Sequence, residues 1–209
     1  MNRTSKLASM AVMVAALCSG CGSAPKERFY TLAPASGPAT AAAPATASNA
    51  QPRLTIAIGP VRVPDAVDRP QMVVREGPNR VEILEQQRWA GSLRSEIGRA
   101  LAAGVGERLP DARVSAADSQ AARSAAYRVG IDVERFDAAL NGSVSVQALW
   151  TVRQDNGTQL ASGRYSATEP TGAGGYEAIA AAYARTLAGL SSVIADAVQG
   201  APIAPVAGK

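Results

Sequence analysis

The chain has 209 residues, 21 Lys and Arg against 17 Asp and Glu, two cysteines and no histidine. Without histidine there is no Ser-His-Asp or Cys-His machinery and no imidazole ligand for a metal. A net charge of only +4 gives no electrostatic footprint for nucleic acid.

The first 20 residues carry Arg3 and Lys6, the apolar run Leu7 to Leu17 and then the small residues Ser19 and Gly20. The run is too short for the roughly 20 apolar residues of a membrane-spanning helix, and the order basic, apolar, small is that of an export signal. Cys21 follows directly, as in a bacterial lipobox, although Cys18 stands where leucine is usual. The rival reading of Cys18 and Cys21 is a C-x-x-C redox or zinc half-site. Zinc would need two more ligands, and the chain has neither a third cysteine nor a histidine. Residues 1–20 are therefore expected to be a lipoprotein signal peptide, and Cys21 the lipidated first residue of the mature chain. Two or more acyl chains hold such a protein permanently on a membrane. Gly22 stands where aspartate often signals inner-membrane retention, which favours the outer membrane.

Residues 21–32 form the lipidated N-terminus and, in "RFYTL", a first strand. Residues 33–52 are rich in alanine and proline, uncharged and without aromatic residues, so they read as a linker or a loop. If Arg28 to Ala33 joins the sheet, this stretch is a loop inside the domain; otherwise it is a tether reaching roughly 60 Å at about 3.1 Å per residue. Residues 53–199 are expected to be an α/β domain, and 200–209 a disordered tail.

Within the domain, Leu54, Ile56 and Ile58 alternate as a core strand, and "PDAVDRP" from Pro64 breaks it with turn residues. "QMVVREG" and "NRVEILEQQR" follow as a strand pair. From Trp89 to Leu109 the period changes, with Leu93, Ile97, Leu101 and Val105 forming a helical stripe. Tyr127, Val129, Ile131 and Val133 alternate again, as do Val144, Val146, Ala148, Trp150 and Val152. The Asn141-Gly142 and Asn156-Gly157 pairs predict two-residue hairpin loops. Placing Asp155 opposite Thr158 sets Trp150 against Gly163 and Ala148 against Tyr165. A last helix, Tyr176 to Val198, carries Ile179, Tyr183, Leu187, Leu190 and Ile194. The expected fold is a single α/β domain: a mixed, mostly antiparallel sheet of about six strands with two long helices packed on it.

The catalytic candidates are few. Asp132 and Glu134 share one strand face, an arrangement that usually marks a solvated surface. Asp65 and Asp68 lack the spacing of a calcium loop. Lys26 and Lys209, the mature chain's lysines, lie beside the anchor and at the last residue, poor places for serine-lysine chemistry. "TGAGGYEA" leads glycine-rich into a helix but has no G-K-[ST]. No enzyme activity, no metal and no cofactor beyond a covalent lipid on Cys21 are expected.

Several segments together resemble a known family. They are the lipobox at Cys21, "FYTL" at Phe29 to Leu32, "GPVRVPDAVDRPQMVVR" from Gly59 to Arg75, "RWAGSLRSEIGRAL" from Arg88 to Leu101, and "VERFD" followed by "VQALWTV". In this order they resemble the ABC-type transport auxiliary lipoproteins, the PqiC/YmbA family, with an unusual Ala/Pro-rich insertion after "FYTL". The resemblance implies that "FYTL" is the first strand of the domain. It also implies a non-catalytic lipoprotein on the periplasmic face of the outer membrane, working with an MCE-domain protein to move phospholipid and support envelope integrity. The docking residues expected are Pro64, Asp65, Asp68, Arg69 and Pro70, with Arg88 and Trp89; as scaffold instead, Asp68 would pair with Arg69 and Trp89 would open the helix from the core. The alternatives are a lipid-binding carrier, with the alanines at 178, 180–182, 184 and 188 leaving room for phospholipid, and a pilotin-like lipoprotein of another envelope machine. A homo-oligomer would suit a ring-shaped partner, although no residue marks one.

Overall fold

A computed structural model describes residues 26–32 and 54–200; Cys18, Cys21, the Ala/Pro stretch and the C-terminal tail lie outside them. The described residues form eight strands and two long helices. In chain order these are β1 (Arg28–Tyr30), β2 (Leu54–Arg62), β3 (Gln71–Arg75), β4 (Val81–Trp89), α1 (Leu93–Arg108), β5 (Ala112–Ala116), β6 (Tyr127–Ala138), β7 (Ser143–Gln154), β8 (Gln159–Pro170) and α2 (Gly175–Gly200). A short 3-10 turn, Gln120–Ser124, lies between β5 and β6.

The expected class, one mixed α/β domain with two helices, holds, but the strands divide into two sheets. Five pair in the order β5-β2-β6-β7-β8 and three in the order β1-β4-β3. Two local features accompany the difference. The β3–β4 register jumps between Gln71↔Arg88 and Met72↔Leu84, so β4 bulges. β5 is only five residues long and pairs parallel with β2. "FYTL" does join the structure: β1 runs parallel to β4, with Tyr30 opposite Trp89. The stretch 33–53 therefore connects two strands of the domain.

β2 is the sheet's inner parallel strand and is buried on both faces, as such strands are. Ile56 and Ile58 enter the main core, while Ala57 packs with Ala122 and Ala125 under the 3-10 turn. Both helices lie on the opposite face of that strand, in the main core. The predicted stripes point inward: Leu93, Ile97, Leu101 and Val105 on α1, and Ile179, Tyr183, Leu187, Leu190 and Ile194 on α2, are all essentially inaccessible. α1 starts at Leu93, later than the period change predicts, because Ser92 caps it by accepting from the Ser95 amide; Trp89 ends β4 instead. Where α1 and α2 cross, a Cβ on Gly104 would stand 2.6 Å from Ser191 Oγ, so glycine there permits the close approach despite its cost in helix propensity. α2 is long and apolar enough to cross a membrane, yet its apolar stripe is spent on the core.

The β7–β8 register matches the alternation, with Trp150 opposite Gly163 and Ala148 opposite Tyr165. The loops differ from the two-residue prediction. The Gln154 amide donates to the Thr158 carbonyl, the register shifts near Arg153, and Gly157 takes the positive φ of 87°, giving a three-residue loop with a bulge. The β6–β7 loop is likewise closed from Ala139 to Ser143, with Asn141 at φ 54°. In the strand body, the Trp150 ring fills the space where Gly163 has no side chain: a Cβ there would lie 2.7 Å from Cζ2. Gly163→Ala is expected to destabilise by about 1–3 kcal/mol, the range for overpacking. Urea melts of Gly163→Ala with and without Trp150→Leu would show it, as a cost that shrinks once the ring is gone.

Candidate functional site

The turn that follows β2 is tied down by its own backbone. The Pro64 carbonyl accepts from the amides of Val67, at 3.0 Å, and Asp68, at 3.2 Å, and Arg69 donates to the Val67 carbonyl at 2.8 Å. The Pro70 carbonyl accepts from the Trp89 amide at 2.8 Å, which brings the end of the turn against the end of β4. Val67 packs on the core beneath, while Asp65, Asp68 and Pro70 are exposed.

Asp68 does not pair with its neighbour Arg69. Its carboxylate binds Arg94, in the first turn of α1, where the helix dipole disfavours a cation and a nearby acid offsets it. Arg69 Nε is buried without a hydrogen-bond partner among the described residues. Asp65 makes no ion pair among the described residues. Of the seven candidate docking residues, Trp89 takes the scaffold alternative and lies in the core. It is 5% exposed and meets Phe136 and Tyr183 edge-on at 6.4 and 6.2 Å, while those two rings stack at 3.8 Å. Arg88 faces the N-terminal segment, pairing with Glu27 at 2.8 Å.

One group that matters here is absent from the sequence reading. Glu96, in the first turn of α1, is a buried carboxylate, 4% exposed. Its Oε2 accepts from the Leu32 amide at 3.1 Å and the Thr31 hydroxyl at 2.8 Å, and its Oε1 from Arg99 at 2.6 Å. Burial alone would raise its pKa; the Leu32 amide, the Thr31 hydroxyl and the Arg99 guanidinium outweigh it and hold the carboxyl below the usual 4.5. Glu96 thus fastens the end of "FYTL" to α1, and Leu32 beside it is fully buried. Tyr30 adds a hydrogen bond to Gln87 at 2.6 Å. No local signal predicts this clamp, because its partners lie 64 and 65 positions away.

Asp132 and Glu134 lie on the exposed surface, as the spacing suggests, each with an arginine: Arg62 at 4.0 Å and Arg164 at 3.0 Å. Among the described residues no three acidic, cysteine or histidine side chains are grouped to hold a metal ion. The alanines of α2 divide between two surroundings. Ala182 is buried in the core, whereas Ala181, Ala184 and Ala188, with the largely buried Ala180 at its floor, line an open groove of about 730 Å³ between α2 and β1.

Solved structures share this fold. One uncharacterised protein matches with a TM-score of 0.66 at 18% identity, covering 83% of this chain and 99% of its own. A Xanthomonas campestris protein of family DUF330 matches with a TM-score of 0.56 at 17% identity, covering 72% of this chain and 90% of its own. No curated protein matches the sequence. The family model for the ABC-type transport auxiliary lipoprotein component matches residues 30–195, from the clamped first strand through nearly all of α2. The chain belongs to the ABC-type transport auxiliary lipoprotein family, components at the membranes of the cell envelope that accompany an ABC-type transporter.

Proposed function

We propose that this protein is a non-catalytic docking lipoprotein, anchored in the outer membrane through lipid on Cys21 and facing the periplasm. It receives the outer end of an MCE-domain assembly that moves phospholipid between the membranes. The observation that carries this reading is the Glu96 clamp, which fixes the strand nearest the anchor to the first turn of α1. An adaptor held between a membrane and a large assembly needs such a connection, since any pull on Cys21 enters the domain at β1. The folded unit then begins at β1, with 33–52 as an internal loop, and no cofactor beyond the covalent lipid is involved.

The surface assigned to the partner is the 64–70 turn, with Asp65, Asp68 and Pro70 outward, Pro64 and Arg69 half-buried and Arg88 beside the N-terminal strand. Trp89 supports that surface from the core. The turn suits docking because proline rings and its own hydrogen bonds already fix its shape, so little ordering cost remains on binding.

The test is a mild-detergent pull-down of the full-length tagged protein, with mass spectrometry of proteins and lipids. Recovery of an MCE-domain protein is expected. Asp65→Lys should reduce that recovery about tenfold, the equivalent of ~1.4 kcal/mol, while a surface change of this kind leaves stability within about 0.5 kcal/mol. Stoichiometric phospholipid without an MCE protein would instead select the carrier reading, with the α2–β1 groove as its site.

A further inference from the structure

β1 is an edge strand of the three-stranded sheet, and Phe29 at its centre is 61% exposed, more than any other large apolar side chain described. A single exposed apolar residue is ordinary; its surroundings here are not. Arg28 is exposed beside it and Lys26 precedes it, neither with an acidic partner among the described residues. Glu27 between them is occupied by Arg88. Across the groove, α2 presents Ala181, Ala184 and Ala188, small enough to leave the space beside Phe29 open, with Arg185 at the rim held by Glu169 and the Pro170 carbonyl. Glu177 also lines the groove, so Lys26 and Arg28 leave the face with a small excess of positive charge.

The distance to the anchor decides what covers this face. Arg28 is seven positions after Cys21, a span of about 25 Å at full extension and nearer 15 Å as a flexible chain. The Glu96 clamp allows β1 no play beyond that. We infer that the β1–α2 face lies on the phospholipid bilayer, with Phe29 inserted at the interface and Lys26 and Arg28 against lipid phosphates. This rests on lipid attachment at Cys21. An aromatic ring in the headgroup layer flanked by cations whose stems reach back to phosphate is how interfacial segments settle on membranes. Covalent attachment so close by keeps the effective concentration of that surface high, so a small patch suffices. The consequence is a fixed orientation: the domain does not swing on its tether.

The mature chain offers a clean readout, since Cys21 is its only native cysteine once the signal is removed and its thiol carries lipid. Ala181→Cys and, as a control on the helix-free sheet face, Leu149→Cys are labelled with an environment-sensitive fluorophore in the full-length lipidated protein. Each is reconstituted into phosphatidylethanolamine–phosphatidylglycerol vesicles with and without brominated acyl chains. Bromolipid is expected to remove most of the fluorescence at 181 and little at 149. Phe29→Ser should abolish the quenching at 181, and Lys26→Glu with Arg28→Glu should weaken it, while the protein still floats with the vesicles. Flotation with equal quenching at both positions, or with none at 181, overturns the membrane-facing assignment and leaves anchoring and docking intact. Failure to float overturns attachment at Cys21 and the inference with it.

Discussion

Replacing Glu96 with alanine is expected to lower stability by about 3 kcal/mol at neutral pH, the scale for removing one side of a buried, hydrogen-bonded charge. For a domain of this size that lowers Tm by roughly 6–12 °C. Arg99 is 49% exposed and is re-solvated at little cost, so most of the loss comes from the hydrogen bonds that the Leu32 amide and the Thr31 hydroxyl make to Glu96. The pH dependence separates charge from shape. Because the folded carboxyl titrates below the ordinary value of 4.5, the unfolded state binds more protons as the pH falls toward and through 4.5. The stabilisation from Glu96 is therefore complete above that value and is lost as the pH drops through the folded pKa. Glu96→Gln keeps the size, accepts fewer of the three hydrogen bonds and cannot titrate. Its stability should fall less steeply than wild type below about pH 5, measured by urea melts across pH 3 to 7. Parallel acid limbs for wild type and Glu96→Gln would show that Glu96 holds β1 without a contribution from its charge.

The contrast between what the sequence revealed and what it hid follows from the range of each interaction. The helix stripes and the β7–β8 register depend on neighbours at fixed spacing, so Leu93 through Val105 and the Trp150–Gly163 pair were readable from periodicity and one turn. The loop closing that hairpin was misjudged because Asn-Gly fits two geometries; here only Gly157 takes the left-handed backbone, at the third loop position. β5 escaped because five residues, three of them small, carry too little alternation to stand above noise. Glu96 reads in sequence as an ordinary acid in a helix's first turn, favourable to the dipole. Only the fold brings Thr31 and Leu32 to it. The Asp68–Arg94 pair has the same cause: proximity in sequence suggested Arg69, while the packing of the 64–70 turn on α1 chose a partner 26 residues away. Phe29 was legible as a strand residue, but its exposure depends on β1 being an edge.

Trp89→Ala is expected to cost about 3–5 kcal/mol, the range for deleting a large aromatic side chain from a core, and so to lower Tm by roughly 6–20 °C. The ring closes one side of the Phe136–Tyr183 stack, and its removal leaves a cavity against two rings rather than against flexible aliphatic chains that could collapse into it. Trp89→Phe keeps the edge-on geometry with a smaller cavity and should retain more of the stability. The backbone gives the change a second consequence. The Trp89 amide holds the Pro70 carbonyl, and the next amide, Ala90, holds the Tyr30 carbonyl, so two consecutive residues link the 64–70 turn to β1. A cavity at Trp89 loosens both. Partner recovery in the pull-down should then fall along with stability, and both should return together as the temperature is lowered. Asp65→Lys is expected to behave in the opposite way, losing partner at every temperature with Tm unchanged. Measuring the two variants side by side distinguishes a residue that touches the partner from one that shapes the surface it touches. Equal stability for Trp89→Ala and wild type would remove Trp89 from the core and return it to the interface.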